Sequence, residues 1–436
     1  MKISFQKKIL KNIRAYLQKV RKRRIDTARS IFCYFACWEE TLGFIYIRKQ
    51  KNSFFKIIKI YLKSLYGIGK QSKYDIFNLN KKKKFSNIFI TWGYKNSFNK
   101  MGEFFDLYSN ISSEKKKNTL WFVIYMDTVL PNKVGENVVL LFNKKTKFNF
   151  LYFIKIIFKD LANNKFNIYY FLHYSNSYAN FGNICLEKIK VILKKNIIKR
   201  IIMPFEGQVF QKMICKYIRE NHKEISTQGF IHDFEPFYPS HSYDTCSPDS
   251  LMVSNGRENF FFKNLKWPKN KIILSSSPRY KNKDINDSLL NNIFFPSGIY
   301  NEEKIINNVK RLIELRKILN IDLKKLRVRV HPKSYGKLKQ ESLKKKINKI
   351  ILDNLAYQKK ISRILEKKTV IVVGISSLVI LALQKGYRVI QLCIDPDTQK
   401  FNKDIWTEID CKTHSKNIIE YKKEKNIFKF YKKNIY

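Results

Sequence analysis

Two groups of polar residues stand where the chain leaves apolar, β-branched runs. The first joins His331-Pro332-Lys333, directly after residues 326–330 (LRVRV), to Gly374, Ser376 and Ser377, directly after residues 369–373 (TVIVV). A histidine and a lysine supply positive charge and N–H donors. A serine pair at a helix start adds short hydroxyls beside backbone N–H groups that have no acceptor within the helix. Together these residue types suit a phosphate or diphosphate. Each piece alone has a plainer account, a histidine-proline turn and a serine-capped structural helix. The second group is Glu206 with Gln208, and His232 with Asp233 at the end of another predicted strand. A carboxylate there could take a proton from an acceptor hydroxyl within hydrogen-bond distance. Glu206 also falls at the start of a predicted helix over 205–220, where negative charge is favoured for its own sake. A third set, Trp92, Gly93, Tyr94, Gly102, Glu103, Asp106 and Tyr108, offers aromatics that could stack on a sugar or fill a core.

The elements that must position these residues follow from periodicity. Residues 369–392 read as strand, glycine-serine turn, helix, glycine turn and strand, one α/β unit with a polar corner. Short apolar runs predict further strands over 86–92, 120–127, 137–141, 226–231, 251–253, 272–275 and 326–330. Helical spacing predicts helices over 1–24, 51–65, 181–199, 205–220, 258–264, 301–319, 343–351 and 357–365. Residues 148–161 are too evenly apolar to assign. Residues 70–84 read as a linker or an irregular segment, 278–298 as polar loop with a loosely helical middle, and the basic, aromatic stretch from Lys416 as a tail that could form a last helix crossing back onto the first domain. Alternating strands and helices predict α/β domains with parallel sheets.

The chain has 436 residues, enough for two or three domains, and 44% hydrophobic residues give it ample core. Lys+Arg number 86 against 35 Asp+Glu, a formal net charge of +51 spread along the chain. That excess draws the protein toward an anionic membrane surface, an acidic substrate or nucleotide, or nucleic acid. No zinc-finger spacing, ATPase-type glycine loop or aromatic platform accompanies the charge, which argues against nucleic acid. No apolar run is long enough to span a membrane. The basic start lacks a signal peptide's apolar core and cleavage site. Phe5, Ile9, Ile13, Leu17 and Val20 do make an apolar stripe among lysines and arginines. Such a helix could lie on an anionic bilayer or pack on its own domain. The seven cysteines are odd in number and form no C-x2-C pair, the pattern of reduced thiols in a cytosolic protein without structural zinc.

The second half resembles the nucleotide-sugar glycosyltransferases of GT-B architecture, two Rossmann-like doubly wound domains facing across a cleft. It is most similar to bacterial enzymes that use CMP-activated acidic sugars, the sialyltransferase and Kdo-transferase types, through His331-Pro332 and Ser376-Ser377. A neighbouring group, bacterial surface-carbohydrate biosynthesis proteins, is similar over about residues 86–410. Its shared stretches are ITWGY (90–94), GEFFDLY (102–108) and PFEGQVFQK (204–212). The chain departs from the better-studied sialyltransferases in having no D-x-G motif near the base.

With the resemblance the chain divides into a basic amphipathic extension (1–84), an acceptor domain (85–268), a donor domain (269–415) and a basic tail (416–436), the two ends read from their charge and periodicity. The resemblance implies that His331, Ser376 and Ser377 hold the donor's CMP phosphate; Pro332, Lys333 and Gly374 join them, and Glu206, His232 and Asp233 are the candidates for catalysis, by residue type and position. The donor would be a substrate rather than a resident cofactor, with no metal. The acceptor would be a surface glycan or lipid-linked sugar at the cytoplasmic face of the membrane. A UDP-sugar transferase, with Asp395 or Asp397 near the ribose, a CDP-polyol phosphotransferase and a non-catalytic polysaccharide-assembly protein stay open as alternatives.

Overall fold

The computed structural model describes residues 5–36, 41–48, 53–79, 84–144, 147–254, 257–275, 279, 292–296, 301–331, 336–355, 368–403 and 405–424. Pro332, Lys333 and the helix expected over 357–365 lie outside the described residues. The protein is an α/β protein with two multi-stranded sheets flanked by helices, consistent with two Rossmann-like domains. One unit takes the described residues up to His232 and again from Tyr238 to Arg279. The other takes Asp233–Phe237 and the described residues from Asn292 onward.

The first unit begins with three helices, α1 (Phe5–Lys22), α2 (Leu42–Arg48) and α3 (Ser53–Gly69). Strands β1 (Tyr74–Phe77), β2 (Asn87–Gly93), β3 (Phe105–Asp106), β4 (Ile111–Ser112), β5 (Thr119–Tyr125) and β6 (Val138–Asn143) follow. After them come α4 (Phe150–Asn163), α5 (Ile168–Tyr174), α6 (Ser177–Leu193), β7 (Arg200–Pro204), α7 (Val209–Asn221), β8 (Ser226–Phe230), β9 (Ser250–Ser254), α8 (Glu258–Leu265) and β10 (Ile272–Ser275). The sheet order is β1-β6-β5-β2-β7-β8-β9-β10. Every pairing is parallel except β1 with β6. β5 (TLWFVIY) is buried at all its positions, as a central parallel strand covered on both faces must be. Phe89, Trp121, Phe104 and Phe230 form the middle of the core.

The apolar stripe of α1 is buried within this unit. Ile9, Ile13, Leu17 and Val20 face inward, and the helix packs on α2, α8 and the turn at Pro239–His241. Of the two accounts open for this stripe, packing on its own domain holds. Downstream, Ala28, Tyr34 and Ala36 join Ala179, Val209 and Met213 in a common cluster. Residues 70–84, expected as linker, contain β1, an edge strand of the main sheet. α4 resolves the ambiguous run at 148–161 as helix, capped by the Asn149 side chain on the Tyr152 N–H.

The second unit contains β11 (Asn292–Phe294), α9 (Glu302–Glu314), β12 (Arg327–Arg329), α10 (Leu338–Asp353), β13 (Thr369–Val373) and α11 (Leu378–Gln384). β14 (Arg388–Leu392), α12 (Pro396–Gln399), β15 (Ile409–Ser415) and β16 (Ile418–Lys423) complete it. Its sheet order is β12-β11-β13-β14-β16-β15, parallel over the first four strands and antiparallel at β16 and β15. Two expectations are corrected here. The stretch read as polar loop contains β11, which pairs on both sides. The described part of the stretch from Lys416 is not a helix but β16, whose Ile418, Ile419 and Tyr421 are buried beside β14, while residues 425–436 lie outside the described residues.

One buried ion pair ties α7 to the loop after β8. Lys212 Nζ lies 3.3 Å from Asp244 Oδ2, with side chains only 4% and 0% exposed. The other Asp244 oxygen accepts the Cys246 N–H at 2.8 Å. Removing the lysine alone strands a desolvated carboxylate. Lys212→Met should therefore lower unfolding stability by about 3 kcal/mol in denaturant titration, and the double variant Lys212→Met/Asp244→Leu should recover most of that loss.

Candidate functional site

In the first unit the chain runs β2, β5, β6 toward one edge and then returns to the other side of β2 with β7. Connections from β2 and β7 thus leave in opposite directions, the arrangement that opens a crevice at the carboxyl ends of parallel strands. The register shows the opening. β2 pairs with β5 from Asn87 to Gly93, but with β7 only through Asn87, Ile88 and Phe89.

Glu206 leaves β7 at this crevice. The structure places it before α7 rather than in its first turn, in a loop of residues 205–208. Gly207 sets that loop with φ +67°, and a Cβ there would lie 2.0 Å from the Ser240 carbonyl oxygen, so only glycine fits. The Gln211 side chain clamps the same loop. Its Oε1 accepts the Glu206 and Gln208 N–H groups at 2.9 and 3.1 Å, and its Nε2 donates to the Pro204 carbonyl at 2.6 Å. From below, His241 Nε2 donates to the Phe205 carbonyl at 2.7 Å.

The Glu206 carboxylate is braced on both oxygens. His232 Nε2, from the end of β8, lies 3.3 Å from Oε1, and Gln208 Nε2 donates to Oε2. His232 is nearly buried at 4% exposure, while Glu206 keeps 17%. The Tyr108 ring meets His232 edge-on at 4.7 Å and Trp92 at 5.2 Å, and the Arg279 guanidinium lies 5.6 Å over the Tyr108 ring. Asp106 holds the turn that carries Tyr108, accepting from Thr91 Oγ1 at 2.6 Å and from the Ser109 N–H at 2.7 Å. Complete burial pushes the Asp106 carboxyl above the usual carboxylate range, against those hydrogen bonds. The cluster therefore presents one partly exposed carboxylate beside an imidazole, walled by aromatics and a guanidinium.

The second unit repeats the topology. β11 is flanked by β12 and β13, and the switch lies between β11 and β13. His331 follows β12, and Gly374, Ser376 and Ser377 follow β13, so all four stand on the carboxyl-end rim of one parallel sheet. Gly374 takes φ +71°. Its carbonyl accepts Gln391 Nε2 at 2.7 Å, and Tyr421 donates to Gln391 Oε1 at 2.8 Å, so β16 braces the serine turn through a buried amide. Ser376 Oγ accepts the Leu378 N–H at 3.2 Å. Ser377 Oγ accepts the Phe234 N–H at 3.0 Å and lies 3.5 Å from Asp233 Oδ1. The segment from Asp233 to Phe237 is anchored there by Trp406, whose Nε1 donates to the Glu235 carbonyl at 3.0 Å.

The residues singled out from sequence thus fall into two clusters. Glu206, Gln208, His232, Trp92 and Tyr108 come together in the first unit, and Asp233 joins Ser377 in the second. Gln211, His241, Arg279, Gln391 and Tyr421 were not anticipated. Gln211 alone left a local trace, three residues after Gln208 in the spacing of a capping box. Among the described residues, no group of three or more His, Cys, Asp or Glu side chains is arranged to hold a metal ion. Cys33, Cys185, Cys215, Cys246, Cys393 and Cys411 are unpaired thiols. In comparison with known proteins, the chain matches no family model and no curated protein.

Because the Glu206 loop depends on Gly207, Gly207→Ala should destabilise the protein by about 2 kcal/mol or more. Denaturant titration checks the size. Loss of the Glu206–His232 contact, read from a shifted His232 imidazole resonance, checks that the change is centred on this loop.

Proposed function

We propose that the protein is a glycosyltransferase of GT-B architecture. It moves a sugar from a nucleotide donor, a CMP-activated acidic sugar of the sialic acid or Kdo kind, to a hydroxyl of a surface glycan or lipid-linked acceptor. The observation that carries this reading is the Glu206 carboxylate, braced by His232 and Gln208 at the switch point of one parallel sheet. The glycine-serine turn at the switch point of the other sheet supports it.

In this reading the first unit receives the acceptor and the second holds the donor. Glu206 takes the proton of the acceptor hydroxyl. The hydroxyl oxygen attacks the anomeric carbon, the bond from that carbon to the phosphate oxygen breaks, and CMP leaves with the electron pair. His232 orients the carboxylate from 3.3 Å. Tyr108 and Trp92 offer faces for a sugar ring. His331, with Pro332 and Lys333 beside it in the sequence, serves the leaving phosphate, and the lysine charge neutralises it. The Ser376 and Ser377 hydroxyls and the backbone at Gly374 hydrogen-bond to it. Asp233 sets the orientation of the Ser377 hydroxyl.

Calorimetric titration of the full chain with CMP, CDP, UMP, UDP and GDP tests the reading. CMP should bind most tightly, His331→Ala should weaken it roughly tenfold, and Glu206→Gln should leave it unchanged, since that group serves the acceptor. Preference for UDP or GDP would overturn the donor class, and binding of none of the five would overturn the transferase reading.

A further inference from the structure

Helices α3 and α4 are apolar on more than their inward sides. Facing the body of the first unit they bring polar groups beside apolar ones such as the buried Ile68. Tyr61 donates to the Ser175 carbonyl at 3.3 Å, Ser64 Oγ lies 2.9 Å from Ser177 Oγ, and Asp160 is the single buried residue of α4. Facing away they present large apolar side chains. Phe54, Phe55, Ile58, Leu62 and Tyr66 follow one another along one exposed side of α3, with Phe55 76% exposed. On α4, which packs against α3, Leu151 is 80% exposed, and Phe150 and Phe158 are exposed with it. Phe166 and Ile168 are exposed where the turn enters α5. The exposed side of a water-facing helix is polar, and an exposed apolar surface of this extent marks a docking site.

Charge selects the occupant. The outward side of these helices carries Lys59, Lys63, Lys155 and Lys159 among the apolar residues. The sequences of α3, α4 and α5 contain one acidic residue, Asp160, and it is buried. A second copy of a chain with net charge +51 would bring lysines against lysines. An anionic bilayer complements both features, headgroups for the ammonium groups and the acyl boundary for the phenylalanines and leucines. No helix among the described residues is long and apolar enough to cross a membrane, so the fit is to its surface. We infer that the outward face of α3 and α4, with the turn into α5, seats the protein on an anionic lipid bilayer. The inference stands independently of the transferase reading, since it uses none of the residues assigned to that chemistry.

The test is co-sedimentation of the full chain with vesicles of phosphatidylcholine alone, or of phosphatidylcholine and phosphatidylglycerol in equal parts, at low and high salt. The wild type should bind the anionic vesicles and keep part of that binding at high salt, where contact through charge alone is lost. The variant Phe54→Ser/Phe55→Ser/Leu151→Ser should bind roughly tenfold more weakly and lose the salt-resistant fraction, with an unchanged thermal melt. Phe166→Ser/Ile168→Ser provides a second variant should the first melt early, with the same expected loss. A control on the exposed basic side of α1, Lys8→Glu/Lys11→Glu, should retain the salt-resistant fraction. Wild-type binding by both apolar variants would overturn the inference. So would a wild-type dimer, measured by sedimentation, that the apolar variants dissolve while vesicle binding is absent.

Discussion

The parting of β2 from β7 after three paired residues is the constraint on which the first cluster depends. A parallel strand covered on both faces has no room for chemistry along its length, so polar side chains gather where the ladder ends. Most strand ends in such a sheet are still closed by their neighbours. Where β2 continues beside β5 and β7 does not follow, side chains from both can meet. Trp92 comes from one strand and Glu206 from the loop of the other. The Gly207 backbone, the Gln211 amide and the His241 imidazole then all act on the same few peptide groups, holding one carboxylate at the lip of the opening. The second unit uses the same device between β11 and β13, with a turn of small residues in place of the acid.

How much of this was legible follows from where each signal resides. The central strands announce themselves through runs such as TLWFVIY and TVIVV, because burial on both faces demands apolar residues at every position. β11 does not. It has three residues inside a polar stretch, and its pairing on both sides is decided by partners far along the chain. β16 reads IIEYKK, basic enough to pass for a surface helix until Tyr421 is seen against Gln391. Glu206 and His232 were legible as polar groups after apolar runs, but their 3.3 Å approach was not, since Ser240 and Gln211 shape the loop between them. Periodicity found the apolar stripe of α1 yet could not say what covers it. For α3 and α4 the failure is different in kind. An apolar run nearly all round a helix, or too even to assign at all, does not say which side turns inward, and the contacts of Tyr61 and Ser64 in α3 appear only once Ser175 and Ser177 are brought alongside.

The two clusters also differ in how their rigidity is achieved. The first is held by contacts near in sequence, with Pro204, Glu206, Gln208 and Gln211 closing a loop within a few residues and His241 bracing it. The second draws on distant strands. Gln391, from β14, reaches the Gly374 carbonyl, and it is fixed in turn by Tyr421 from β16.

That dependence orders events during synthesis. Gly374 leaves the ribosome well before Tyr421, and a strand that completes a sheet by long-range pairing cannot act until it has emerged. Until then the Gln391 amide lacks the phenol that donates to it, and the serine turn lacks that part of its support. The first unit's loop, by contrast, has Gln211, Ser240 and His241, the groups described as holding it, once residue 241 is made. A nascent chain would thus close its Glu206 loop early and brace its serine turn fully only after β16 has been translated, so a ribosomal stall between the two would leave the first loop closed and the second turn short of its last brace.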